Sequence, residues 1–170
     1  MIKQAVLAFM VGDIGSAYLE AYTEEKVCFI AGPAFGECEG HLMVIVKALY
    51  GLRTSGAHYH ECFADTPHYM GFKQCINEPD LWYRDAQTHY EYVFVYVDDL
   101  TAIMLFPAAF FDILRTKYKY KLKGMEEPKY HLGGSFFCNP DGTLAWGAQH
   151  YIICLLENFT CEEGNPPPKA

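Results

Sequence analysis

An apolar run that ends in two adjacent carboxylates constrains the fold of this chain more than any other feature. The sequence reads EYVFVYVDDL from Glu91 to Leu100. β-Branched and aromatic residues alternate along it, which predicts a buried strand. Asp98 and Asp99 follow at its end, where they form either a hairpin turn or a site that uses their charges.

A second apolar run ends in the same way. FMVGD places Asp13 at the end of a strand predicted near residues 5–13. If the two strands are neighbours in one sheet, Asp13 and Asp98 meet at its edge, where each carboxylate raises the pKa of the other. Two Mg²⁺ ions about 3.5–4 Å apart, or Mn²⁺ in their place, would offset this repulsion and support in-line phosphoryl transfer.

The rest of the pattern mixes strands and helices without strict alternation. Helices are predicted from about Ser55 to Tyr69, near 107–118 with Pro107 in the first turn, and from Tyr151 to Phe159. Hairpins are predicted at DLWYRD with YEYVFVYV, and at YHLGGSFFC with TLAWGAQ. The expected class is therefore α+β.

Length and cysteine content bound the domain organisation and the compartment. A chain of 170 residues is most simply one domain, expected over 1–163, with the Pro-rich segment 164–170 as a disordered tail. Seven cysteines without a C-x-x-C pair favour reduced thiols and an intracellular protein. No apolar run approaches the ~20 residues of a membrane span, so no membrane association is expected.

The charges of the chain give conflicting indications about nucleic-acid binding. The net charge of −8 argues against a phosphate-binding protein. A basic stripe nevertheless recurs at every second residue, at Arg115, Lys117, Lys119, Lys121 and Lys123. On one strand these cations would share a face, which would be either a solvated edge protected by lysine or a surface for phosphates.

Several motifs together resemble one family. YVDD is similar to the catalytic turn of reverse transcriptases, and DIGSAYLEA resembles their first catalytic motif. Further blocks occur in the order found in copia-type LTR retrotransposon polymerases, namely KALYGLRTSG, GFKQCINEPDLW, YHLGG and DGTLAWGAQHYI. The resemblance, from about Gly12 to Tyr151, implies a reverse transcriptase palm, with an antiparallel sheet packed on helices and a primer-grip-like hairpin.

The resemblance implies a catalytic centre. Asp13 and Asp98 would ligate both metal ions together with the backbone carbonyl of Ile14. Asp99 would support the turn and the local field. Lys121 or Lys123 would be a proton donor for the leaving pyrophosphate.

The resemblance also implies substrate-binding residues. Tyr18 would stack beneath the sugar of the incoming nucleotide and obstruct a 2′-hydroxyl, although a core aromatic is the simpler interpretation without the motif. The nucleotide pocket and template contact would include Tyr50, Gly51, Arg53 and Ser55; alternatively, Gly51 and Ser55 belong to a helix-entry turn. The primer grip would consist of His131, Leu132, Gly133 and Gly134.

The implied activity is metal-dependent addition of dNTPs to a primer 3′ end on an RNA or DNA template. The expected partners are therefore template-primer and dNTP. Only twelve residues precede Asp13, so most of the fingers, the thumb and an RNase H region are expected to be missing. Little or no independent polymerase activity follows from that expectation.

Two other functional classes remain open. One is a non-enzymatic nucleic-acid-binding relic of a retrotransposon polyprotein, whose binding would survive Asp13→Asn. The other is an oligomerising scaffold that associates through exposed apolar surface. The resemblance places any of these in the cytoplasm, a virus-like particle or the nucleus.

The segment HYHEC invites a metal site but lacks a second half. His58 and Cys62 would share a helix face, with His60 and Glu61 nearby. No second cluster completes a tetrahedral set. A structural helix is therefore the favoured interpretation.

Overall fold

A six-stranded sheet organises the first part of the chain, with strand order β4-β5-β6-β7-β1-β8. The computed structural model describes residues 7–131, 133–140 and 143–163. They divide into two compact units, Met1–Met125 and Glu126–Ala170. The sheet strands are β1 Ala8–Ile14, β4 Lys73–Gln74, β5 Leu81–Asp85, β6 Tyr90–Tyr96, β7 Asp99–Met104 and β8 Leu122–Glu126.

The first unit also contains two helices and a small hairpin. The helices are α1 Ser55–Tyr69 and α2 Pro107–Thr116, and the hairpin joins β2 Cys28–Ile30 to β3 Leu42–Val44. Two 3₁₀ segments cover Ala17–Glu20 and Pro33–Cys38. The pairings from β4 to β1 are antiparallel. The expected α+β class with an antiparallel sheet packed on helices is thereby confirmed.

The ladder register separates the sheet into two faces. Gly12 of β1 pairs with Leu100 of β7, which pairs with Val95 of β6. These residues belong to the buried face, because Leu100 and Val95 lie in the core. One step along the ladder, Asp13 pairs with Asp99, which pairs with Tyr96. Since side chains alternate along a strand, this second row lies on the sheet face opposite to that of Gly12, Leu100 and Val95.

The helices cover the core face with periodic apolar rows. α1 buries Tyr59 and Phe63 at the four-residue spacing of one helix face. α2 buries Phe110, Phe111 and Leu114. A Cβ on Gly12 would lie 2.8 Å from the Phe111 ring, so glycine lets α2 pack directly against β1 beside Asp13.

The position of the second carboxylate differs from the sequence prediction in one respect. β6 does not lie next to β1, because the unpredicted strand β7 lies between them. The loop between β6 and β7 consists of Val97 and Asp98 alone. Asp98 therefore approaches Asp13 from a hairpin turn, and the expectation that the two predicted strands are neighbours is wrong.

The basic stripe does not form one strand. Arg115 lies in α2 and Lys117 caps its C-terminus, whereas β8 begins only at Leu122. Lys119 interrupts the segment with φ = 64°. The five cations therefore do not share one strand face, because α2, the helix predicted near 107–118, contains Arg115 and is capped by Lys117.

The opposite end of β6 carries a partly buried charged cluster. Arg84 donates from Nε to Glu91 Oε2 at 2.9 Å and from Nη1 to the Met70 carbonyl at 2.6 Å. His89 Nε2 lies 3.5 Å from Glu91 Oε1. The Arg84 guanidinium also covers the Phe72 ring at 4.5 Å. We call Arg84, Glu91 and His89 the hairpin cluster.

The second unit contains a three-stranded sheet and a helix. Its elements are β9 Tyr130–His131, β10 Gly134–Cys138, β11 Leu144–Gly147 and α3 Gln149–Glu163, and the strand order is β11-β10-β9. The predicted β10–β11 hairpin is present. The segment predicted as one strand, YHLGGSFFC, is two strands instead, because Gly133 turns the chain with φ = 75°. The predicted tail 164–170 lies outside the described residues.

Among the described helices, none combines the length and the apolarity needed to cross a bilayer.

Candidate active site

Two backbone features bring Asp13 and Asp98 together at one end of the sheet. Asp13 is the second-last residue of β1 and pairs with Asp99, the first residue of β7. Asp98 precedes it in the two-residue turn, and its carbonyl accepts a 2.8 Å hydrogen bond from the Ile14 amide. The turn is therefore fixed to the end of β1 by the backbone.

The turn places a β-branched residue in a strained conformation. Val97 has φ = 55°, a region that L-residues with branched side chains rarely adopt. Two-residue hairpin turns need a positive φ at the first central position, which glycine or asparagine normally supplies. Strain of this kind is tolerated where the surrounding structure imposes it, and it is concentrated at functional sites.

The two carboxyl groups interact electrostatically. The pKa of Asp13 is raised by partial burial, then by the charge of Asp98, and further by Asp99 and by a side-chain hydrogen bond with Asp98. The nearby Lys123 ammonium acts in the opposite direction. The site thus has an excess of negative charge that one lysine offsets in part, which is an environment that attracts a cation.

Tyrosine side chains border the carboxylates. Tyr50 donates its hydroxyl to Asp98 Oδ2 at 3.5 Å, the outer limit of a hydrogen bond. The ring centroids of Tyr18 and Tyr50 are 4.3 Å apart. Both residues line a cavity of about 130 Å³ together with Ser16 and Leu49. Tyr18 is therefore half-buried beside the carboxylates rather than enclosed in the core.

The segment predicted to shape the nucleotide pocket is a tight turn before α1. The Leu52 amide donates to the Leu49 carbonyl at 3.2 Å, and Gly51 has φ = 97°, as a type II turn requires at its third residue. Ser55 is buried and donates its hydroxyl to the same Leu49 carbonyl at 2.6 Å. Gly51 and Ser55 thus form the helix-entry turn, while Arg53 is exposed.

Of the two candidate proton donors, Lys123 lies nearer to the carboxylates. A Cβ on Gly15 would lie 3.1 Å from Lys123 Cε and 3.4 Å from its Nζ, and this ammonium lowers the pKa of Asp13. Lys121 contributes its backbone, since its carbonyl accepts a 2.7 Å hydrogen bond from the Gly15 amide. The geometry favours Lys123 over Lys121.

The predicted primer-grip residues lie in the second unit. His131 ends β9, and Gly133 and Gly134 form the bend into β10. A side chain on Gly134 would overlap the Trp146 indole, so this position requires glycine. Leu132 lies outside the described residues. The primer-grip role of this segment stays a prediction.

The carboxylates of the candidate site supply part of the ligands that a divalent cation requires. Within residues 7–131, 133–140 and 143–163, no three His, Cys, Asp or Glu side chains converge as a complete metal site. Asp13 and Asp98 form a pair, which suits Mg²⁺, because this ion commonly uses one or two carboxylates and takes its remaining ligands from water and substrate phosphates. Asp13 and Asp98 therefore fit a magnesium site whose other ligands come from water and substrate phosphates.

The HYHEC segment lies on α1 as favoured above. His60 Nε2 faces Asp80 Oδ1 at 3.4 Å, and the Cys62 thiol lies 3.9 Å from the Glu20 carbonyl.

Apart from Tyr18 and His60, sequence reasoning missed the residues that line the neighbouring cavity. A second cavity of about 270 Å³ is lined by Tyr18, Gly56, Tyr59, His60, Asp80, Tyr96 and Val97. Two signals could have identified part of this set. Tyr59 follows Ser55 at helical spacing, and Tyr96 directly precedes the strained turn.

A comparison with known families gives a match over most of the chain. A family model described as reverse transcriptase (RNA-dependent DNA polymerase) matches residues 4–167. A search of curated proteins found none that matches significantly.

Proposed function

Because the chain belongs to the reverse transcriptase (RNA-dependent DNA polymerase) family, we propose that Asp13 and Asp98 are the metal-binding pair of a nucleotidyl-transfer site. The observation that carries this proposal is the placement of both residues at one end of the sheet, where Asp13 pairs with Asp99 and the Ile14 amide donates to the Asp98 carbonyl at 2.8 Å. Membership of the family places the chain among nucleotidyl-transfer polymerases, whose substrates are nucleic acids. The metal dependence, the residue roles and the copia-type relationship are our proposals.

The site would hold two Mg²⁺ ions between Asp13, Asp98, the Ile14 carbonyl and the substrate phosphates. When bound, these ions supply activation of the primer 3′ oxygen and stabilisation of the leaving pyrophosphate. Asp99 adds negative charge next to the pair, since it also raises the pKa of Asp13. The carboxylates orient the reacting groups at the surface opposite the helices.

The remaining residues bind and position the nucleotide. Tyr18 would lie against the deoxyribose, where its ring would exclude a 2′-hydroxyl, and Tyr50 supports it by ring contact. Arg53, exposed beside the turn, would bind a phosphate or template group. Lys123 would donate a proton to the pyrophosphate as the bond between the 3′ oxygen and the α-phosphorus forms and the leaving oxygen departs.

Nucleotide binding tests this proposal without requiring turnover. We expect dTTP to bind the purified chain in the presence of Mg²⁺, and Asp98→Asn to weaken this binding by at least about tenfold, as expected for loss of a direct metal ligand. Asp65→Asn is a matched control on the exposed surface of α1. Equal dTTP affinities for Asp98→Asn and the wild type would refute the proposal.

Sugar discrimination tests the role of Tyr18. We expect Tyr18→Ala to narrow the affinity difference between dTTP and its ribonucleotide counterpart by roughly tenfold, because the obstruction to the 2′-hydroxyl is removed. If the ratio stays at its wild-type value, Tyr18 does not contact the sugar. Independent primer extension by the chain, expected to be low, can be measured in the same preparations.

A further inference from the structure

A carboxylate from another part of the chain holds the N-terminus of α1. Glu25 lies between the 3₁₀ segment Ala17–Glu20 and β2. Its Oε1 accepts two hydrogen bonds from Thr54, one from the backbone amide at 2.8 Å and one from the hydroxyl at 2.6 Å. The Glu25 amide in turn donates to Thr23 Oγ1 at 3.1 Å, which orients the Glu25 backbone.

Thr54 uses its side chain unusually for a residue that precedes a helix. Its hydroxyl makes no capping bond to α1, although threonine at this position commonly caps the helix itself. The hydroxyl donates to Glu25 instead. The hydrogen bonds from Thr54 lower the pKa of Glu25, and the charges of Arg53 and His58 lower it further. The Glu25 carboxylate is therefore ionised.

The bonds to Thr54 complete the restraint of the turn before α1. Leu49 holds the start of the turn by accepting from the Leu52 amide and the Ser55 hydroxyl. Glu25 holds its end. Between these anchors lie Tyr50, which reaches Asp98, and Arg53, which is exposed.

We infer that Glu25 is a positioning residue that holds the turn carrying Tyr50, whose hydroxyl reaches Asp98, and the exposed Arg53. It touches neither Asp13 nor Asp98 among the described contacts, and acts through Thr54 and the turn. The inference deepens the proposed function and rests on it where nucleotide affinity is concerned. The restraint of the turn itself is independent of that function.

Hydrogen exchange tests the restraint directly. We expect Glu25→Ala to accelerate exchange of both the Thr54 and the Leu52 amides, the latter by roughly threefold or more, the range of coupling between residues that share a network. Thr54→Ser retains both donors and should exchange as the wild type does. Glu24→Ala, at the neighbouring exposed position, is the matched control. Acceleration confined to the Thr54 amide would show a local cap and overturn the inference.

A double-mutant cycle links the restraint to nucleotide binding. Glu25→Ala should weaken Mg²⁺-dependent dTTP binding by roughly threefold or more in the wild-type background, and have no further effect when Tyr50→Ala and Arg53→Ala are present. An undiminished effect in that background would overturn positioning through these residues. If the wild type does not bind dTTP, the proposed function fails, and exchange at Leu52 alone decides whether Glu25 restrains the turn.

Discussion

The two ends of β6 carry charged residues in opposite arrangements. At its start, Glu91 faces Arg84 across the β5–β6 ladder, and His89 lies against its other oxygen. At its end, Asp98 lies beside the end of β1, and its charge raises the pKa of Asp13. The first arrangement pairs opposite charges, and the second brings like charges together.

The difference separates a structural cluster from a functional one. The hairpin cluster satisfies its charges within the protein, because Arg84 also donates to the Met70 carbonyl at the C-terminus of α1. Among the described residues, the carboxylate pair is compensated in part by the Lys123 ammonium and by the weak contact with the Tyr50 hydroxyl, so a bound cation would lower its free energy.

Breaking the hairpin cluster should have the largest effect on stability. Glu91→Gln leaves Arg84 without its carboxylate partner in a largely buried position. Removing one member of a fully buried pair costs about 3–5 kcal/mol, and because Arg84 is partly exposed we expect about 2–3 kcal/mol, or a decrease in Tm of about 5–10 °C. Thermal unfolding measures it, with Glu78→Gln as an exposed control. A change below about 1 °C would show that the cluster is not structural.

Magnesium should stabilise the other end of the strand. A site with a millimolar dissociation constant, saturated by tenfold excess of Mg²⁺, would stabilise the protein by about 1.4 kcal/mol, which raises Tm by roughly 3–5 °C. Asp98→Asn should abolish this increase. Glu91→Gln should retain the increase in Tm that Mg²⁺ causes, provided that the variant folds. If Asp98→Asn responds to Mg²⁺ as the wild type does, the cation binds elsewhere.

Neutralising the carboxylate pair should stabilise the metal-free protein. Because the folded-state pKa of Asp13 is raised, its ionisation opposes folding, and stability is lost as pH rises through that pKa. Asp13→Asn should therefore raise Tm at pH 7 by about 1–3 °C. The difference in Tm between Asp13→Asn and the wild type should vanish as pH falls below 3.8, the ordinary pKa of aspartate. Residue 13 is then neutral in both proteins. A lower Tm for Asp13→Asn at pH 7 would contradict the comparison.

Removing the Tyr50 hydroxyl should have the smallest effect. At 3.5 Å its contact with Asp98 is weak. We expect Tyr50→Phe to change Mn²⁺ affinity by less than about threefold, because a contact at the distance limit retains only a small part of the free energy of a well-formed hydrogen bond to a carboxylate. Isothermal titration can resolve this. A tenfold loss would mean that the hydroxyl belongs to the metal site itself.

The fold could be predicted where the pattern agrees with local chemistry. α1 covers Ser55–Tyr69 as expected, and the β5–β6 hairpin forms between the two predicted strands. The strand β7 could not be predicted, because the turn before it contains Val97 and Asp98, without the glycine or asparagine that marks a hairpin. The tertiary structure imposes a strained backbone conformation on this turn. The sequence therefore lacks the usual turn residues there.

The site was predictable to a similar extent. The sequence indicated Asp13 and Asp98 because both follow apolar runs. It did not indicate Glu25 or the hairpin cluster, since each depends on contacts between elements. The hydrogen bonds between Glu25 and Thr54 join residues 29 positions apart. Arg84 and Glu91 become recognisable only once the ladder register is known.

Mn²⁺ binding followed by electron paramagnetic resonance tests the central claim most directly. We predict that free Mn²⁺ decreases as the wild-type chain binds it, that Mg²⁺ competes, and that Asp13→Asn and Asp98→Asn each weaken the binding by at least about tenfold, while Asp65→Asn does not. If both single variants bind Mn²⁺ as the wild type does, the two carboxylates do not form a cation site.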